Sequence, residues 1–138
     1  MKTNFFYTLF VFIILTGCSK NVPLSGNVTF SDNGEPLTAG VVFFVSGAHQ
    51  ARGNIQSNGT YTLGFEEVNN GLPNGTYNVY IDDANRYEGG KLDEQGIPKS
   101  EQKVIPLINK KFTKSETSGL SVDVNNSLKK YDIKVDRP

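Results

Sequence analysis

The tetrapeptide Asn-Gly-Thr-Tyr occurs twice, as Asn58-Gly59-Thr60-Tyr61-Thr62-Leu63 and, sixteen residues on, as Asn74-Gly75-Thr76-Tyr77-Asn78-Val79. In both copies Asn-Gly accepts turn conformations, and Thr and Tyr favour the extended chain that follows. Each tyrosine opens an alternating run: Tyr61, Leu63 and Phe65 in the first copy, Tyr77, Val79 and Ile81 in the second. Alternation of this kind puts one set of side chains on the buried face of a strand. A phenol there fills core space while its hydroxyl reaches a nearby backbone group at the sheet edge. The repeat therefore reads as a turn followed by a strand, used twice, and needs no ligand. Both copies are also glycosylation sequons, as are Asn27-Val28-Thr29 and Asn125-Asn126-Ser127. The bacterial export signal described below sets the eukaryotic glycan route aside.

The same period of two extends along the chain. Val22 to Phe30 places Val22, Leu24, Val28 and Phe30 on one alternating set, and Ser31-Asp32-Asn33-Gly34 supplies the chemistry of a tight turn. Val41-Val42-Phe43-Phe44-Val45 is a short apolar run bracketed by Gly40 and Gly47, which favours a strand over a helix. Arg52 to Gln56, Thr60 to Phe65, Tyr77 to Ile81, Leu120 to Val124 and Tyr131 to Val135 complete seven strands, and no segment sustains a helical period. The expected architecture is all-β, a small antiparallel sandwich. Its core centre is expected at Phe43, Tyr61, Leu63, Tyr77, Val79, Ile81, Val122, Val124 and Ile133.

One interval breaks the rhythm. Residues 82–118, 37 in all, are largely charged and non-periodic, with Gly89-Gly90 and Gly96 favouring flexibility. Only Val104 to Ile108 there could bury much, as an edge segment, because Pro106 cannot donate to a ladder. The interval reads as a long mobile surface loop, a kind of segment that on rigid scaffolds often carries recognition.

The N-terminus is a separate unit. Lys2 precedes eleven mostly apolar residues, Phe5 to Leu15, too few to span a bilayer and the right length for a signal-peptide core. The run meets Leu15-Thr16-Gly17-Cys18, in which a small residue precedes the only cysteine of the chain, the pattern of a bacterial lipobox. The division expected is a signal peptide at 1–17, a lipidated tether at 18–21, and a sandwich domain at 22–138 with its long loop at 82–118. Cys18 is the lipidation residue, carrying diacylglyceryl and palmitate-type chains. A single cysteine allows no intrachain disulfide, so the exported domain holds together through its core. Ser19 in place of an aspartate directs the expectation to the outer membrane, facing periplasm or surface.

Order and spacing then carry a resemblance. The chain runs Val22-x-x-x-Gly26-x-Val28-x-Phe30, Asn33-Gly34-x-Pro36-Leu37-x-x-Gly40-Val41-x-Phe43, Gly53-x-Ile55, Asn58-Gly59-x-Tyr61-x-Leu63, and Leu72-Pro73-Asn74-Gly75-x-Tyr77-x-Val79-x-Ile81. Ile105-Pro106 and Thr117-Ser118-Gly119-Leu120-x-Val122-x-Val124 follow. This resembles the carboxypeptidase regulatory-like, or transthyretin-like, domains of exported bacterial lipoproteins. The resemblance implies a seven-stranded Greek-key sandwich with an accessory or binding role and no chemistry of its own. Phe112 stands where the usual pattern has a tyrosine after the late proline.

The 14 basic and 14 acidic residues of the chain give no surplus for nucleic acid, and removing Lys2 leaves 13 against 14. His49 is the only histidine and reads as a solvated turn residue. With no second histidine and the cysteine lipidated, zinc has no suitable ligand set. Ser46, His49 and an aspartate could form a hydrolytic triad only if the fold gathered them, since their spacing does not call for it. The related transthyretin-fold urate-pathway hydrolases end in Tyr-Arg-Gly-Ser, whereas this chain ends Val135-Asp136-Arg137-Pro138. Asp82, Asp83, Asn85, Asp93 and Glu94 offer oxygens but not the alternating acidic loop that calcium requires. An internal Lys–Asn isopeptide crosslink, known in pilin-like sandwiches, finds no lysine in the first strand. No catalytic residue, cofactor or metal is expected.

The function expected is a non-enzymatic cell-envelope lipoprotein, an accessory or binding module held to the membrane through Cys18, with a protein or glycan partner. A carbohydrate-binding module is the alternative, for which Phe44, Tyr80 and Tyr87 would form the stacking platform. A hydrolase with an unrecognised site is the second alternative.

Overall fold

The computed structural model describes residues 21–47, 49–64, 70–97 and 100–138. The expected signal peptide, Cys18 and Phe65 lie outside the described residues. The strands are β1 (Ser25–Phe30), β2 (Val41–Ser46), β3 (His49–Asn54), β4 (Thr60–Thr62), β5 (Gly75–Asp82), β6 (Asn85–Glu88), β7 (Lys103–Pro106), β8 (Leu120–Val124) and β9 (Ile133–Val135). One 3-10 turn, Lys110–Thr113, precedes β8. The described residues are all-β with almost no helix.

Seven strands form two sheets, ordered β4-β1-β9 and β3-β2-β5-β8, and β6 and β7 form a separate two-stranded ribbon. The inward side chains of both sheets meet in one apolar cluster that runs from Val22 to Val135. The nine strands among the described residues are two more than the seven expected, and both extra strands lie within the interval 82–118.

A second correction concerns direction. The sheets were expected to be wholly antiparallel, yet β1 and β9 pair in parallel, Val28 opposite Ile133 and Phe30 opposite Val135. The chain path explains it. β8 runs against β5 and ends at Val124 opposite Gly75, near the end of the molecule where Val22 pairs with Leu72. Residues 125–132 cross to the other sheet at that end, so β9 starts where β1 starts and runs alongside it.

A third correction concerns the core. Phe43 is not inward-facing: Val42 and Phe44 are fully buried, and Phe43 is half-buried on the outer face. A run of five apolar residues carries no period, so the ladder sets its parity. Val42 lies opposite Ile81 and Phe44 opposite Val79, both inward on β5, which sends Phe43 outward opposite Tyr80. Tyr61, Leu63, Tyr77, Val79, Ile81, Val124 and Ile133 are buried as expected, and Val122 packs against them.

The two tyrosines of the repeated tetrapeptide are among the most buried side chains, 1% and 0% exposed. The Tyr77 hydroxyl donates to the Pro73 carbonyl at 2.9 Å, four residues back, and the Tyr61 hydroxyl donates to the Tyr131 carbonyl at 2.5 Å. In the first copy the Asn58 side chain accepts from the Thr60 N–H at 3.1 Å and its hydroxyl at 2.7 Å. Gly59 is required twice over. Its φ is +83°, and a Cβ there would lie 2.9 Å from the Val28 carbonyl oxygen and 2.8 Å from Pro36. In the second copy Gly75 opens β5, and Thr76 donates across to Asp123 at 2.6 Å. The repeat is used in two different turns toward one end, a buried phenol at a strand start.

The buried phenols make stability pH-dependent at the alkaline end. Burial, with the nearby Tyr131 and Asp132, pushes the Tyr61 phenol far above its ordinary 10.0, and burial also raises Tyr77 and Tyr131. A raised folded-state value means that the unfolded chain ionises first. The associated stability is full below pH 10 and is lost as pH rises above it. The phenolate absorbance of Tyr61 and Tyr77 is expected to appear in one cooperative step together with loss of the β-sheet circular dichroism. Complete ionisation near pH 10 with unchanged circular dichroism would contradict the burial.

Candidate functional site

The interval 82–118 has two halves. The later half is packed: Ile108 and Phe112 are buried, the Asn109 N–H donates to the Asp136 carbonyl at 2.8 Å, and the Ser118 hydroxyl donates to the Val79 carbonyl at 2.5 Å. These contacts close the open side between the sheets, with Phe112 as the plug. The segment is thus part of the body and not the mobile loop the sequence suggested.

The earlier half is the ribbon. Asn85 lies opposite Pro106, Arg86 opposite Ile105, Tyr87 opposite Val104, and Glu88 opposite Lys103. Asp93 shapes the tip by accepting from the backbone N–H groups of Gln95 at 2.9 Å and Ile97 at 2.8 Å. Among the described residues, all the exposed large hydrophobic side chains lie on this one arm: Tyr87 at 49%, Leu92 at 61%, Ile97 at 59% and Val104 at 51%. Apolar side chains gathered this way on an otherwise well-packed domain make the arm the candidate surface. The sequence held a signal for the arm in Arg86-Tyr87-Glu88, Lys103-Val104-Ile105 and the turn Asp93-Glu94-Gln95-Gly96. Strands of four residues, exposed on nearly every side, lack the buried face that periodicity detects.

The oxygen-bearing residues considered for calcium serve local structure. Asp82 Oδ1 accepts from the Asp83 N–H at 2.8 Å. Asp83 Oδ1 accepts from the Tyr87 hydroxyl at 2.7 Å and from Asn85 Nδ2 at 3.2 Å. The Tyr87 hydrogen bond is the main cause holding the Asp83 carboxyl below its ordinary value. Asp83 adopts a positive φ of 50° at the bend into the ribbon, so these contacts brace the root of the arm. Among the described residues no group of three or more His, Cys, Asp or Glu side chains is placed to hold a metal ion.

The aromatic platform considered for sugar binding is dispersed. Phe44 is fully buried, which removes it. Tyr80 stacks on Phe43, with centroids 4.9 Å apart and planes 9° from parallel. Each ring thus gives one of its faces to the other. Tyr87 stands alone on the arm with its hydroxyl bonded to Asp83. Ser46 and His49 are neighbours across the β2–β3 hairpin, with His49 on the exposed side.

A hollow of about 580 Å³ lies on the outer face of the three-stranded sheet, lined by Asn27, Thr29, Pro36, Asn58, Asp132 and Lys134 among others. Asp132 accepts from the Asn27 N–H at 2.9 Å, from Asn27 Nδ2 at 3.2 Å and from Lys130 Nζ at 3.1 Å. Partial burial pushes the Asp132 carboxyl up, but the Asn27 and Lys130 contacts outweigh it and hold the group below its ordinary value. Asn27 on β1 and Lys130 before β9 are the types that an isopeptide crosslink joins, in the reverse arrangement to the one sought in the sequence. Their carboxylate is solvent-facing and held below its ordinary value, whereas the crosslink needs a buried acid beside the pair.

No protein-family model matches the chain, and no curated protein matches it. Two solved structures are similar. A variant of BcpA, the major pilin subunit of Bacillus cereus, is 11% identical with a TM-score of 0.44, the match covering 86% of this chain and 30% of the pilin. A 9R-lipoxygenase from Cyanothece is 15% identical with a TM-score of 0.36, the match covering 97% of this chain and 18% of the enzyme. The architecture and the candidate surface are therefore read from the chain's own strands and contacts.

Proposed function

We propose that the chain is a non-enzymatic, lipid-anchored lipoprotein of the bacterial cell envelope, held at the outer membrane. In this reading it is a transthyretin-like accessory module of the carboxypeptidase regulatory-like kind, and it contacts a macromolecular partner through the β6–β7 ribbon. The observation that carries the reading is the polarity of the molecule. Val22, four residues after Cys18, is fastened to Leu72 by hydrogen bonds of 2.7 and 3.0 Å. β1 and β5 both run away from that end, and the ribbon is rooted past Asp82 at the other. Eight residues of β5 at about 3.3 Å each separate tether from arm by roughly 25 Å. A domain tethered at one pole and carrying its exposed apolar side chains at the other suits recognition away from the membrane. The Asp93-Glu94 tip also makes insertion of the arm into lipid unfavourable.

Metabolic labelling with palmitate tests the anchor. Each buried methylene contributes about 0.8 kcal/mol, so two or more chains hold firmly. Wild type is expected to take label and partition with membranes, and Cys18→Ser to lose both. Equal label on both forms would end the proposal.

A further inference from the structure

We infer that the ribbon docks with the ribbon of a second copy of this chain, through Tyr87, Leu92, Ile97 and Val104, an inference that rests on the tethered-module reading above. Within one molecule, β6 and β7 pair only with each other among the described residues, so the arm is rooted on the body without being covered by it. Tyr87 and Val104 are cross-strand partners and share one face of the ribbon, giving two apolar side chains that can meet the same pair across a two-fold axis.

Charge favours a like partner. From Asn85 to Pro106 the sequence carries Arg86, Lys91, Lys99 and Lys103 against Glu88, Asp93, Glu94 and Glu101, four of each sign. An arm with no net charge neither repels its own copy nor draws a strongly charged partner. Anionic lipid and nucleic acid are disfavoured on the same ground, and an apolar groove on another protein is the remaining competitor.

Geometry favours a like partner as well. Copies tethered through Cys18 to one membrane hold the roots of their arms at one height, so lateral encounters bring arm against arm. The half-buried outer face around Phe43 and Tyr80 lies lower, along the strands. Four side chains form less surface than a stable interface in free solution needs, about 800 Å² from each partner. Confinement to a surface supplies the missing stability by raising effective concentration, as linking two modules does. The contact is therefore weak in solution and populated on the membrane.

Disulfide trapping in cells reads this directly, because lipidation blocks the sulfur of Cys18 and an introduced cysteine is then the only free thiol of the mature chain. Val104→Cys in the full chain is expected to give a crosslinked dimer, roughly tenfold more than Lys134→Cys on the outer face of β9. Adding Leu92→Asp and Ile97→Asp to Val104→Cys is expected to abolish the dimer while the melting temperature holds, since both side chains are exposed. Absence of a Val104→Cys dimer overturns the inference, as does equal crosslinking at Lys134→Cys, or a dimer that survives the two aspartates. A crosslink to a different protein in place of the dimer also overturns it and assigns the arm to that partner. Palmitate label without the dimer leaves the anchor standing and removes only the second copy; absence of label removes the anchor and this inference with it.

Discussion

Replacing Phe44 with alanine is expected to cost about 3–5 kcal/mol, a large part of the 5–15 kcal/mol that holds a domain of this kind folded. Phe44 is 0% exposed and sits among three tyrosine rings, with centroids 6.3 Å from Tyr61, 6.4 Å from Tyr77 and 5.9 Å from Tyr131. The Tyr131 contact is edge-on, at 81°. Truncation leaves a cavity between the sheets that two hydrogen-bonded phenols and a strand crossing cannot readily fill. Phe43→Ala is the paired control. It removes one ring from an outer-face stack with Tyr80 and is expected to cost about 1 kcal/mol or less. Urea unfolding of both variants decides the parity of β2. A Phe43→Ala loss equal to or larger than that of Phe44→Ala would reverse the register.

Gly26→Ala is expected to be nearly as damaging, by crowding instead of emptying. A Cβ at Gly26 would lie 1.9 Å from the Tyr131 carbonyl oxygen and 2.7 Å from its carbonyl carbon. These are backbone atoms and cannot rotate aside. The same carbonyl accepts the Tyr61 hydroxyl at 2.5 Å, and the Tyr131 N–H donates to the Ser25 carbonyl at 2.9 Å. One methyl group therefore displaces the junction by which the chain reaches β9 and pairs it in parallel with β1. The expected loss is about 3 kcal/mol, seen as a fall in melting temperature of roughly 10 °C. An unchanged melting temperature would mean that residues 125–132 do not pass over Gly26.

How much of this was legible in the sequence can be traced residue by residue. β5 and β8 were, because Tyr77, Val79 and Ile81, and Val122 and Val124, alternate with polar residues and only one face can be buried. The role of the repeated tetrapeptide was legible for the same reason, although the backbone partners were not: Tyr77 bonds Pro73, four residues back, but Tyr61 bonds Tyr131, seventy residues on. Phe43 and Phe44 were not distinguishable, since both are aromatic, adjacent and inside an apolar run. Only the partner strand assigns them faces. The parallel β1–β9 pair was hidden because alternation is blind to strand direction, which depends on where residues 125–132 cross.

The ends of the chain carried a signal that composition conceals. Arg137 reaches Asp32 and Glu35, at 2.9 Å each, and its guanidinium lies 3.8 Å from the Phe30 ring centroid. Asp136 accepts from Ser31 and from Lys111, and the Lys111 contact is the main cause that holds its carboxyl below the ordinary value. These exposed pairs fasten the last strand to the first hairpin and to the turn that carries Phe112. In sequence they are only scattered charges.

The candidate surface was legible in part. The interval 82–118 stood out by length and charge, but its division into a packed plug and a projecting ribbon depends on contacts with residues distant in sequence, such as Ser118 with Val79 and Asn109 with Asp136. The parts have a consistent polarity, with Val22 and the starts of β1 and β5 at one end, and the root of the arm past Asp82 at the other.

The intact mass of the chain extracted from membranes tests the central claim most directly. The account predicts a chain that begins at Cys18 and keeps residues 18–138, 121 of the original 138, with the added mass of a diacylglyceryl group and an amide-linked acyl chain. An unmodified chain that retains residues 1–17, or one cut elsewhere with a free Cys18 thiol, would contradict it.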